Sequence, residues 1–147
     1  MQRALDLFNQ ALQCLQSGRA REAEEICRQL VVAVPGFAAA WHLLGVIALQ
    51  TGNHQAASDW LQRTVALNPA DAEALNNLGI ALKYQGLWEE ALARFEQAAN
   101  ARPNFAEAYF NAGHLLQEQA RMEEAIACFQ QGLAHRPDAA EIYLTLG

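Results

Sequence analysis

Apolar residues recur along this chain at helical spacing, in stretches about a dozen residues long that alternate with short polar breaks. In residues 71–82, DAEALNNLGIAL, the side chains Leu75, Leu78 and Leu82 fall on one face, with asparagines beside them. The next stretch places Ala91, Leu92, Phe95 and Ala98 on one side and Arg94 and Glu96 on the other, the pattern of an amphipathic helix. Gly86-Leu87 separates the two stretches, and Arg102-Pro103 ends the second. Proline has no amide to donate and disfavours helix at the residue before it, so it stops a helix firmly. The same reading along the chain predicts helices at roughly 3–17, 20–34, 38–51, 54–67, 72–85, 88–101, 106–119, 122–135 and 139–147. Asn104-x-x-Glu107 and Asp138-x-x-Glu141 have the spacing of capping boxes that would start the helices after them. The expected fold class is all-α.

These elements repeat. Pro35, Pro69, Pro103 and Pro137 stand 34 residues apart, and the same step links Gly45, Gly79, Gly113 and Gly147. It also links Ala23, Ala57, Ala91 and Ala125, and it carries Gly18 to Gly52 and Gly86, until Ala120 takes the glycine's place. A 34-residue period with these landmarks resembles the tetratricopeptide repeat (TPR), whose unit is a pair of antiparallel helices. The resemblance implies a solenoid that winds as a right-handed superhelix, with the first helix of each pair lining the concave wall. Residues 1–147 then form a single array, with repeats at about 4–37, 38–71, 72–105 and 106–139 and a partial fifth at 140–147. Gly147 aligns with the mid-helix glycine, so the chain reads as a fragment that stops inside a repeat. Ile142, Tyr143 and Leu146 would be left uncovered, and an open apolar end predicts self-association there.

A glycine inside a helix costs about 1 kcal/mol relative to alanine. Its recurrence at Gly45, Gly79 and Gly113 implies that a second helix approaches closely at each. Of the three cysteines, Cys14 and Cys27 fall at apolar core positions, and Cys128 stands in no metal-ligand spacing with them. A disulfide framework is therefore not expected, and a reducing compartment is.

Composition and charge narrow the function. Net charge is −6, with five Lys or Arg against five Asp or Glu in residues 1–70 and five against eleven in 71–147. Neither half has a basic stripe, which argues against nucleic acid as a partner. Residues 31–49 are apolar enough to suggest a membrane span, but Pro35-Gly36 breaks the stretch in register with the other inter-repeat turns. The N-terminus, MQRALDLFNQ, lacks the apolar core of a signal peptide. A cytoplasmic protein that contacts no membrane is expected.

Carried over residue by residue, the resemblance places Phe8, Asn9, Leu12, His42, Leu43 and Val46 on the inward wall of the first two repeats. Asn76, Asn77, Ile80, Lys83 and Tyr84 follow in the third, and Phe110, Asn111, His114, Gln117 and Glu118 in the fourth. Asn9, Asn77, Asn111 and Thr145 occupy equivalent positions, a row that Leu43 interrupts. An amide side chain carries donors and an acceptor, so such a row can hold the main chain of an extended peptide without reading its side chains. The row resembles that of O-linked N-acetylglucosamine transferases and their bacterial relatives, and the turn at Ser17–Glu24 is similar to the opening repeat of bacterial arrays placed before transferase domains. The candidate peptide site is Asn9, His42, Asn76, Asn77, Tyr84, Phe110, Asn111 and His114.

Competing chemistries fare worse. The basic residues that some TPR proteins use to grip acidic chaperone tails are replaced here by Phe8, Leu12, His42, Val46, Asn76, Ile80 and His114. Glu73, Glu107 and Glu141 lie one period apart, but each belongs to a first helical turn, where a carboxylate complements the helix dipole. His42 and His114 are two repeats apart, on the order of 20 Å, too far to share a metal. His54 and His135 belong to turns, and no nucleophile–base pair or phosphate loop is present, so neither catalysis, metal nor cofactor is expected. Trp41, Trp60 and Trp88 are expected in the core. The sequence thus predicts a scaffold that binds an extended polypeptide. The alternatives are the substrate-recruiting region of a larger transferase and an end-to-end self-assembling array.

Overall fold

The computed structural model describes residues 2–137. The ninth predicted helix, the Asp138–Glu141 capping box, Thr145 and the C-terminal apolar residues lie outside them. Within them the chain forms eight helices: α1 (Gln2–Gln16), α2 (Ala20–Ala33), α3 (Ala38–Gln50), α4 (His54–Leu67), α5 (Ala72–Tyr84), α6 (Trp88–Ala101), α7 (Ala106–Glu118) and α8 (Met122–His135). They divide into two compact units, 1–69 and 70–147. In the first, α1 folds back on α2 and α3 on α4, with α2 packed on α3. In the second, α5 pairs with α6 and α7 with α8, with α6 and α5 both touching α7.

One turn closes every hairpin. Arg19 N–H donates to the Cys14 carbonyl at 2.8 Å and Gly18 N–H to that of Leu15 at 3.1 Å, the double bond of a Schellman motif with its cap residue in the left-handed conformation. Asn53, Leu87 and Arg121 repeat the long bond to Ala48, Leu82 and Leu116. Gly18, Gly52 and Gly86 take φ near +80° there (79°, 81° and 79°), while Ala120 holds φ 61°. The alanine that breaks the glycine series therefore adopts the glycine's backbone.

Each mid-helix glycine faces a large side chain of its partner helix. A Cβ on Gly45 would lie 2.5 Å from Leu61 Cγ, and one on Gly79 or Gly113 2.6 or 2.7 Å from Cε1 of Phe95 or Phe129. The expected close approach is present in three of the four hairpins. In the first unit Ala11, Cys14, Ala23, Cys27, Leu30, Leu44 and Ile47 form the core. In the second, Leu78, Phe95 and Leu115 are fully buried. Burial pushes the Cys27 thiol up to about 11, as for a cysteine serving as a small apolar residue.

Two expectations are corrected. Helix α7 begins after Phe105, whose side chain makes no capping bond, so Asn104 and Glu107 do not form a capping box. Phe105 N–H instead turns back to the Arg102 carbonyl at 2.9 Å, which places Asn104 in the turn one residue too early. Side-chain caps occur at Asn53, which accepts from Ala56 N–H, and at Asp71, which accepts from Ala74 N–H. Trp88 is 41 % exposed at the start of α6 rather than in the core. Trp60 packs against the first unit's core, as does Trp41. Trp41 has a second task, donating its indole N–H to the Pro35 carbonyl at 2.9 Å, as Tyr109 O–H does to Pro103 at 3.2 Å.

Candidate functional site

The second unit carries a cavity of about 370 Å³, bordered by α5, α7 and the residue after α8. Helix α5 contributes Asn76, Asn77 and Ile80, which fall on one side because residues three and four apart share a helix face. Helix α7 contributes Glu107, Phe110, Asn111 and His114 by the same spacing, and Arg136 completes the rim. Five of the eight sequence-predicted site residues are thereby brought together: Asn76, Asn77, Phe110, Asn111 and His114.

Their roles differ. Phe110 is only 6 % exposed and its ring lies against Gly132 of α8, so it forms a floor. Asn76 is 4 % exposed and accepts a hydrogen bond from Asn111 Nδ2 at 3.0 Å, which ties the two helices together. The His114 ring meets Phe129 edge-on, with centroids 5.1 Å apart. Burial lowers the His114 pKa; Lys83 pushes the same way and Glu118 opposes it. Lys83 and Glu118 themselves form an ion pair across α5 and α7 at 3.5 Å.

The other three candidates lie elsewhere. Tyr84, at the end of α5, is 63 % exposed, does not border the cavity, and has the Lys83 ammonium 6.0 Å from its ring. Asn9 is exposed on α1 and His42 half-buried on α3, both in the first unit. No cluster of three or more His, Cys, Asp or Glu side chains able to hold a metal occurs among the described residues.

Arg136 is the rim residue that sequence reasoning missed, and the period contained its signal. One repeat earlier, Arg102 precedes Pro103 as Arg136 precedes Pro137, and its guanidinium lies 3.6 Å from Glu73, the counterpart of Glu107. The sequence assigns Glu107 only a first-turn role. It is in the first turn of α7, and it borders the cavity as well.

Comparison with known proteins places this geometry. A family model described as tetratricopeptide repeat matches residues 37–104 and 71–138. A crystal structure of MamA aligns with TM-score 0.87 at 27 % identity, covering 94 % of this chain and 81 % of that one. YrrB, described as a TPR protein with an unusual peptide-binding site, aligns with TM-score 0.82 at 24 % identity over 92 % of this chain and 70 % of its own. An O-GlcNAc transferase of Thermobaculum terrenum aligns with TM-score 0.72 at 29 % identity over 77 % of this chain, which spans 22 % of the transferase chain. No functionally curated protein matches. The family model covers more than half of the sequence, in the register that the prolines, glycines and helical hairpins independently define; the chain belongs to the tetratricopeptide repeat family.

Proposed function

We propose that this protein-interaction scaffold binds an extended polypeptide segment along the α5–α7 face, with Asn76, Asn77 and Asn111 supplying hydrogen bonds to it. The observation that carries the reading is the cavity itself, where three amides, an apolar floor and a histidine meet. Each amide bond to a ligand contributes about 1 kcal/mol net, and Ile80 adds apolar contact beside them. Asn9 and His42 in the first unit, and the exposed Tyr84 in the second, are further proposed peptide-contacting residues, each within its own unit. The peptide-binding site of YrrB supports the same use of the fold in this chain. The reading treats residues 1–147 as one array in a cytoplasmic setting and assigns it binding rather than catalysis. None of the described helices is long and apolar enough to cross a membrane.

Affinity capture from the source cell's lysate tests the proposal. Wild type and the Asn77→Ala, Asn111→Ala double variant are run in parallel, and the variant is expected to lose partners that wild type retains. Identical partner sets would remove the cavity from the binding surface.

The similarity to the transferase supports a second reading, in which this array recruits substrates for a catalytic domain encoded in the same reading frame. The full-length gene decides it. Self-association is the third, and light scattering over a range of concentrations tests it; a constant monomer mass excludes it.

A further inference from the structure

Among the described residues, the buried polar side chains are Ser58, Thr64 and Asn76. The two hydroxyls are satisfied locally, donating to the Gln55 and Trp60 carbonyls at 2.9 and 3.2 Å. Asn76 differs. Its Oδ1 accepts from Asn111 Nδ2, but its own Nδ2 donates to no other described residue. Nor is that nitrogen among the described side-chain atoms cut off from both solvent and a partner. The open side of Asn76 is the cavity, which it borders together with Asn111.

The 3.0 Å bond fixes what the pair can offer. It uses one acceptor site on Asn76 and one N–H of Asn111, leaving Asn76 with two N–H groups and Asn111 with its carbonyl oxygen and its second N–H. The pair is thus a donor and an acceptor held side by side on two packed helices. The rim adds no excess charge: Glu107 and Arg136 are opposite in sign, and Lys83 is matched by Glu118. An acidic ligand would meet Glu107 and a basic one Arg136, whereas a neutral group with its own carbonyl and N–H complements the amides.

Resting on the peptide-binding reading, we propose that the Asn76–Asn111 pair recognises one C=O and one N–H set side by side on the ligand, the carbonyl oxygen accepting from Asn76 and the N–H donating to Asn111. The two groups come either from one residue of the bound backbone, whose N–H and C=O point the same way in an extended segment although they belong to successive trans peptide groups, or from the single amide of an Asn or Gln side chain. Asn76 is then the specificity-determining residue, and the register row of Asn77 and Asn111 is not a set of equal rungs, because Asn111 is already held by its neighbour.

The test pans the full chain against a phage-displayed library of random dodecapeptides and measures the enriched peptides by fluorescence anisotropy. Asn76→Asp is the central variant, because it keeps the acceptor that Asn111 uses and removes the donors; Asn76→Ala guards against effects of the new charge, and circular dichroism confirms that both fold. Both are expected to weaken binding roughly five- to tenfold, as for the loss of one hydrogen bond. Asn or Gln enriched at one peptide position, with loss on conversion to Asp or Glu there, assigns the side-chain source. Loss on N-methylation of one backbone amide, without such enrichment, assigns the backbone source. Peptides whose binding depends on charged residues and survives both Asn76 variants would overturn the inference while leaving peptide binding intact. No enriched peptide, or peptides indifferent to Ile80→Arg in the cavity, would instead overturn the peptide-binding reading on which it rests.

Discussion

Replacing Gly79 by Ala tests the packing logic that sets the hairpin geometry. A Cβ at this position would lie 2.6 Å from Phe95 Cε1, 2.7 Å from Cδ1 and 3.0 Å from Cζ. Carbon atoms pack favourably at about 3.5–4.0 Å, so the overlap approaches 1 Å. Phe95 is fully buried, so its ring can yield only by displacing packed neighbours or by shifting towards the depression that it lines between α6, α7 and α8. Overpacking of this kind costs about 1–3 kcal/mol, and the depth of the overlap favours the upper part of that range. Removing a glycine from a helix returns about 1 kcal/mol, so the expected net destabilisation is about 1–2 kcal/mol. Urea unfolding followed by tryptophan fluorescence and circular dichroism measures it. Gly36→Ala is the control, since a Cβ there meets nothing within 4 Å. In a Phe95→Leu background the cost of Gly79→Ala should shrink, because the two positions are coupled through one contact. A Gly79→Ala protein as stable as its parent would refute the steric argument.

Three further outcomes follow from single residues. Ala120 holds a left-handed φ of 61° that costs a non-glycine residue about 1–2 kcal/mol, while glycine's extra unfolded-state entropy costs about 0.4–1 kcal/mol; Ala120→Gly should therefore stabilise by about 0.5–1 kcal/mol in urea titration, and a loss of stability would contradict this. Burial lowers His114 below its usual 6.5, with Lys83 acting in the same direction against Glu118, so the folded chain binds this proton less readily than the unfolded one. Its contribution is intact at neutral pH and falls away as pH drops through 6.5 towards the folded value; His114→Gln should flatten that part of the acid-side decline, and an unchanged pH–stability profile would contradict it. Cys27 is fully buried with its thiol pushed up to about 11, whereas Cys128 is half-buried; a thiol reagent at about pH 8 should modify Cys128 first and Cys27 only on unfolding, and early labelling of Cys27 would contradict the packing.

The period made most of the fold legible, because helix stops and close-packing glycines each demand a particular residue type. Pro103 ends a helix in any context, and Gly79 survives inside one only where another side chain needs the space. The first-helix ends were read one residue late at Gln85 and Gln119, which hold the cap position rather than a helical one. Asn104 was misread because a capping box is a local spacing, and Asn104 satisfies the spacing one residue before the true cap. Trp88 was misread because its motif position does not reveal which neighbours cover it. In the site, Asn76, Asn77, Phe110, Asn111 and His114 were legible from the family resemblance, and helical spacing accounts for each helix presenting its own set on one face. The Asn76–Asn111 bond was not, because it joins residues 35 apart in sequence at positions one step out of the repeat register. Arg136 was overlooked because it follows a helix rather than lying on one.

Site-specific photocrosslinking tests most directly whether this chain binds a polypeptide along the α5–α7 face. A benzophenone amino acid would replace Ile80, which borders the cavity, or Glu96, which borders a separate depression between α6, α7 and α8. Each protein is irradiated in the source cell's lysate and the adducts are mapped by mass spectrometry. The account predicts adducts at position 80 that map to an extended segment of a partner and are suppressed by Asn77→Ala with Asn111→Ala. Efficient capture at position 96, with none at 80, would contradict it.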